Sequence, residues 1–141
     1  MTGFRLEKGG SVDRAAPLDF TFDGKAFTGF AGDTLASALI ANDVHLMGRS
    51  FKYHRPRGVI SAGSSEPNAL VELRDGARKE ANTRTTMIEL YDGLVARSQN
   101  RWPSLELDVG ALNSIASAMF MAGFYYKSYY CGYRINMQDI N

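Results

Sequence analysis

Residues 18–39 constrain the fold more than any other part of the chain. Leu18, Phe20 and Phe22 alternate with Asp19 and Thr21, reach Asp23-Gly24, and are answered by Phe27, Thr28 and Phe30. Apolar side chains at every second position suit a strand with one buried face, and Asp-Gly tolerates the positive φ values of a two-residue type I′ turn, so the stretch predicts a β-hairpin. Gly32-Asp33-Thr34 follows at once and precedes Leu35, Ala38 and Leu39, an i, i+3, i+4 apolar stripe that predicts a helix capped by Asp33 or Thr34 and ended by Asn42-Asp43. A hairpin leading straight into a helix must fold that helix back over its own sheet.

Further strands are predicted over residues 49–55, 69–73, 87–90 and 94–97, with turns at Asp75-Gly76 and Asp92-Gly93. The order is that of an α+β domain with one helix crossing a mixed sheet. At 141 residues the chain has room for one ordinary domain, and its 45% hydrophobic and 22% charged content is that of a globular protein. The spacing divides it into a glycine-rich amino-terminal arm (1–16), a central domain (17–100) and a helical, aromatic extension (101–141). In the extension Leu105 and Leu107 are expected to be buried, residues 111–124 to form a second helix, and Tyr125, Tyr126, Tyr129, Tyr130 and Tyr133 to share one helical face. The longest apolar run, residues 115–124, is too short to span a bilayer.

Sixteen basic residues against fifteen acidic ones leave a formal charge of +1, so no global field argues for nucleic acid or an anionic membrane. No secretory signal is legible at the amino terminus, which points to the cytoplasm. A single cysteine, Cys131, excludes an internal disulfide and, with two histidines, offers no recognisable zinc or iron–sulfur cage.

Charge is concentrated locally. Between Asp43 and Glu66 there is no acidic residue, whereas Arg49, Lys52, Arg55, Arg57 and both histidines fall in that interval. As an extended strand it would turn Arg49, Phe51, Tyr53 and Arg55 to one side and Ser50, Lys52 and His54 to the other. Guanidinium groups interleaved with aromatics suit phosphate, carboxylate or a flat conjugated ring. The candidate residues for an interface or an anionic group are therefore Arg49, Lys52, His54, Arg55 and Arg57. The plainer reading is an edge strand guarded by cations against aggregation. As lone histidines His45 and His54 fit structural roles better than catalytic ones, and Ser61, Ser64 and Ser65 do not form a nucleophile elbow. Neither Gly-x-Gly-x-x-Gly nor the P-loop pattern is present.

Gly32-Asp33-Thr34-Leu35-Ala36-Ser37-Ala38-Leu39, the segment 48–58, Glu66-Pro67-Asn68-Ala69-Leu70, Ser98-Gln99-Asn100-Arg101-Trp102-Pro103-Ser104 and Ala122-Gly123-Phe124-Tyr125-Tyr126-Lys127 closely resemble, in order, the amino-terminal region of the α subunits of heterotetrameric sarcosine oxidases. The resemblance implies a β-grasp domain like that of [2Fe-2S] ferredoxins. It places Ser61, Glu66 and Ala69 at the three ligand positions that cluster-bearing relatives fill in a C-x4-C-x2-C pattern, with a fourth near Asn82, and so implies a chain with no cofactor of its own.

For the whole complex the resemblance implies FAD, FMN, NAD and tetrahydrofolate, the β, γ and δ subunits and the remainder of α as partners, and oxidative demethylation of sarcosine to glycine. On this reading residues 101–141 are the truncated start of a dinucleotide-binding region, because the pattern departs from the family after Lys127. The alternative is a free-standing, non-catalytic adaptor for an acidic protein or nucleotide.

Overall fold

The computed structural model describes residues 4–115. The expected helix over residues 111–124 and the tyrosine face beyond it fall largely or wholly outside the described residues.

The hairpin forms as the sequence predicts. β1 (Asp13–Phe22) and β2 (Lys25–Ala31) pair antiparallel with Phe22 opposite Lys25, so the loop is Asp23-Gly24, with φ of 51° and 78°. β1 begins before the alternating run, and its register with β2 shifts between Asp13 and Pro17, where proline has no N–H for a ladder bond. Helix α1 (Leu35–Ala41) follows, capped by Thr34, whose hydroxyl accepts from Ser37 N while the Ser37 hydroxyl accepts from Thr34 N. This reciprocal box satisfies two of the amides that a helix start leaves unpaired.

Asp33 does something larger than capping. Its buried carboxylate accepts from both terminal nitrogens of Arg5, from Phe30 N and from the Ser37 hydroxyl. The arm, the hairpin and the helix start meet on this one side chain, and Arg5 also lies 5.1 Å from the centre of the Phe30 ring.

The remaining strands are β3 (Gly48–Arg49), β4 (Pro56–Arg57), β5 (Leu70–Leu73), β6 (Glu80–Arg84) and β7 (Leu94–Ser98). The main sheet runs β2-β1-β7-β5-β6, with β1 and β7 parallel at its centre and the other pairs antiparallel. α1 packs on this sheet through Leu35, Ala38 and Leu39, which join Phe20, Phe22, Met47, Val71 and Leu94 in one core. The packing is close: a β-carbon on Gly29 of β2 would lie 3.1 Å from the Ala38 methyl group and would overlap the Leu90 side chain. Sheet, single crossing helix and central parallel pair make a β-grasp fold of the ferredoxin type.

Several local expectations are corrected. Residues 49–55 are not one strand: β3 and β4 form a separate two-stranded ribbon joined by a tight turn, with His54 at φ 50°. The turn is closed by Ser50, whose carbonyl accepts from His54 N and whose hydroxyl accepts from Arg55 N. The segment is therefore not an edge of the main sheet; its edge strands are β2 and β6, and β6 has no apolar alternation to reveal it. Residues 87–90 are not a strand: Met87 ends a short 3-10 turn (Thr85–Met87), and Glu89 makes an isolated bridge with Thr34. Leu105 is buried as expected, but Leu107 is 70% exposed. A short α2 (Leu112–Ile115) ends the described chain, and none of the described helices is long and apolar enough to cross a membrane.

Replacing Thr34 by alanine should cost about 1 kcal/mol, the usual value of a lost cap. Asp33→Ala strands the Arg5 guanidinium and the Phe30 amide and should cost roughly 2–4 kcal/mol. Urea unfolding of both variants checks the order; equal losses would mean that Asp33 acts only as a cap.

Candidate functional site

The β3–β4 ribbon carries all five basic candidates, but the fold sorts them into different environments. Arg49 is turned inward. Its Nε and Nη2 donate to Leu105 O at 3.0 and 2.7 Å, its Nη1 donates to His54 O at 3.0 Å, and Asp108 Oδ2 lies 3.7 Å from Nε. His54 Nδ1 is 2.7 Å from the same Asp108 oxygen, and its ring packs so closely on Gly110 that a β-carbon there would overlap it. Asp108 Oδ1 accepts from Trp102 N and Gly110 N. Arg49, His54 and Asp108 thus bolt the ribbon to the 102–110 segment.

Burial acts to raise the Asp108 carboxyl, but the hydrogen bond from His54, those from the Trp102 and Gly110 amides, and the charge interaction with His54 outweigh it and hold the group below its ordinary value of 3.8.

Lys52 and Arg55 lie at the turn. Their cationic groups each lie 5.0 Å from the centre of the Tyr53 ring, Arg55 is exposed, and the neighbouring Phe51 is 75% exposed. Phe51 and Arg55 face outward here while Lys52 and Tyr53 are half-buried, a composition suited to a partner's carboxylates and rings. Arg57 faces elsewhere, donating from Nη1 to Asn68 Oδ1 at the wall of a groove of about 400 Å³. Arg49, Phe51, Asn82 and Gln99 also line the groove, and among the described residues no carboxylate does. A second cleft, of about 510 Å³, has an apolar floor that includes Phe22, Phe27 and Leu105 and a rim closed by the Lys25–Glu106 pair.

The 58–69 loop is organised around Glu66, which is fully buried and accepts four main-chain hydrogen bonds. Sequence reasoning placed Glu66 at a ligand position and did not identify this role. Asp108 was missed altogether, since its side-chain partners His54 and Arg49 lie more than fifty positions away.

Taken together, the sheet order, the crossing helix and the loop between β4 and β5 define a ferredoxin-type β-grasp domain. Residues 15–101 match the family described as the 2Fe-2S iron–sulfur cluster binding domain, and the chain belongs to it. Over 129 residues the chain is 63% identical to the sarcosine oxidase subunit alpha of Rhizobium meliloti (strain 1021), covering 92% of this chain and 13% of that subunit. It is 41% identical over 93 residues to the sarcosine oxidase subunit alpha of Corynebacterium sp. (strain U-96), covering 62% of this chain and 9% of that subunit. The chain thus spans only a small part of the relatives it matches. L-proline dehydrogenase from P. horikoshii aligns with a TM-score of 0.48 and 21% identity, over 64% of this chain and 17% of that one.

The family match overturns the expectation of a chain with no cofactor of its own, because the family is one of cluster-binding domains. The side chains present do not fit that group. A [2Fe-2S] cluster is held by cysteine thiolates, with histidines replacing two of them in one variant. At the expected positions stand a serine, a glutamate committed to four amides, and an alanine. The Ser61 hydroxyl is buried without a hydrogen-bond partner, and no group of three histidine, cysteine or acidic side chains converges among the described residues.

The Asp108 carboxyl titrates lower in the fold than in the unfolded chain, so its contribution to stability is complete above pH 3.8 and is lost as pH falls through the folded-state value. Asp108→Asn should cost about 2 kcal/mol at pH 7 and a shrinking amount under acid conditions. Unfolding free energies measured from pH 7 to pH 3 check this; a loss that does not depend on pH would remove the carboxylate's charge from the account.

Proposed function

We propose that this chain is the amino-terminal module of a sarcosine oxidase α subunit. In this reading it supports assembly of a flavin-dependent complex that converts sarcosine to glycine, forms peroxide and passes the one-carbon unit to tetrahydrofolate. The observation that carries the reading is the 63% identity extending over 92% of this chain. The module's partners are the remainder of α and the β, γ and δ subunits, and its compartment is the cytoplasm.

Within that role the ribbon divides its labour. Arg49 and His54 hold its base against the 102–110 segment, and Phe51, Lys52 and Arg55 form the docking tip. Arg57 shapes the neighbouring groove and offers a guanidinium to an anionic group there. The alternative, an adaptor for a nucleotide or acidic protein, draws support from Arg49 and Arg57 at that groove, where no carboxylate stands among the described residues. Copurification with a β-type flavoprotein subunit separates the two readings.

The test uses a complete α subunit carrying Phe51→Ala and Arg55→Ala. Both side chains are exposed, so the melting temperature of α should change by no more than the equivalent of about 0.5 kcal/mol. A desolvated charge contact at an interface is worth ~2–5 kcal/mol, so affinity for β should fall at least tenfold, with a matching loss of flavin-loaded complex. Unchanged assembly refutes the docking tip.

A further inference from the structure

We infer that the Glu66 carboxylate is the built-in anion of the 60–69 loop, filling from within a cradle of main-chain amides of the kind that receives external anions. Oε2 accepts from Ile60 N and Ser61 N, each at 2.7 Å, and Oε1 accepts from Asn68 N at 2.6 Å and Ala69 N at 3.1 Å. The four donors come from the two ends of the loop, so a single side chain closes it. Converging backbone N–H groups form concavities that bind phosphates and iron–sulfur groups. Here the concavity is occupied by the protein's own charge.

Two further observations separate this from ordinary packing. Glu66 is fully buried, yet among the described residues no cation is paired with its carboxylate. The nearby arginines are used otherwise: Arg84 donates to the Glu66 carbonyl and Arg57 to the Asn68 side chain. An uncompensated carboxyl at this depth would be pushed up by burial. The amides of Ser61, Asn68, Ile60 and Ala69 instead bring it below its ordinary value of 4.5. The turn Gly63–Ser65 is thereby left on the outside, tied down at Gly63 O by the Thr86 hydroxyl.

Two of the four donors, Ser61 and Ala69, stand at positions where the sequence resemblance places ligands, and the other two, Ile60 and Asn68, stand beside them. The inference concerns what shapes the loop and is independent of the assembly reading.

The experiment uses the 141-residue chain with Glu66→Ala and Glu66→Gln. Glu66→Ala empties the cradle and should lower Tm by about 10 °C, with faster hydrogen exchange at the Ile60, Ser61, Asn68 and Ala69 amides. Added formate, a carboxylate small enough for the vacated space, should restore much of the loss, whereas chloride at equal ionic strength should not. Glu66→Gln keeps the volume but sets an amide NH2 against one donor pair, so exchange should quicken at one pair only. If Glu66→Ala does not fold, Glu66→Gln carries the test. Unchanged protection at all four amides in either folded variant, or a loss in Glu66→Ala that formate does not reverse, overturns the proposal.

Discussion

Among the described residues only seven lie in the main helix α1 and long loops join the strands, so many main-chain amides stand outside any ladder, and those that are buried must find acceptors. In this domain buried carboxylates supply them. Asp33 takes the Phe30 amide where hairpin meets helix, Glu66 takes four amides of the 60–69 loop, and Asp108 takes those of Trp102 and Gly110. Asp23 in the hairpin turn does the same for Ser98 at the end of β7, and also accepts from the Ser98 hydroxyl and Arg101. Asp33, Glu66 and Asp108 each hold together pieces of chain that the sheet does not join, whereas Asp23 extends the β1–β7 pairing by one more contact.

This also changes the meaning of the basic segment. Four cations in an acid-free interval look like a charged surface, yet Arg49 spends its guanidinium on main-chain carbonyls and Asp108. The acid absent from the local sequence is supplied by the 102–110 segment. What remains outward, at the Phe51–Arg55 turn, is a smaller patch in which cations flank a tyrosine beside an exposed phenylalanine. The segment is thus two structures in one, a buried anchor and a presented tip, and the anchor is what fixes the tip's position.

The hairpin and the helix were legible because their determinants act over a few residues: alternation, an Asp-Gly turn and an i, i+3, i+4 stripe behind a capping Asp33 or Thr34. Strand β6 was not legible, because an edge strand with polar side chains on both faces carries no period-two signal. The single strand expected over residues 49–55 failed because alternation alone does not register that Ser50 can close a turn on His54 and Arg55. Leu107 looked like core and is solvent-exposed, since the bonds that shape its loop run to Ser104 and bring Pro103 opposite Asp108.

By itself the sequence determined the hairpin, the capped helix, the α+β class and, through its ordered motifs, the family. Only the tertiary structure decided which charges are internal, because their partners are remote: 54 positions separate His54 from Asp108, 56 separate Arg49 from Leu105, and 75 separate Asp23 from Ser98. Propensity and turn chemistry are properties of neighbouring residues. The acceptor of a buried guanidinium or amide is set by where the sheet delivers a distant loop, and here the parallel pairing of β1 with β7 makes that delivery.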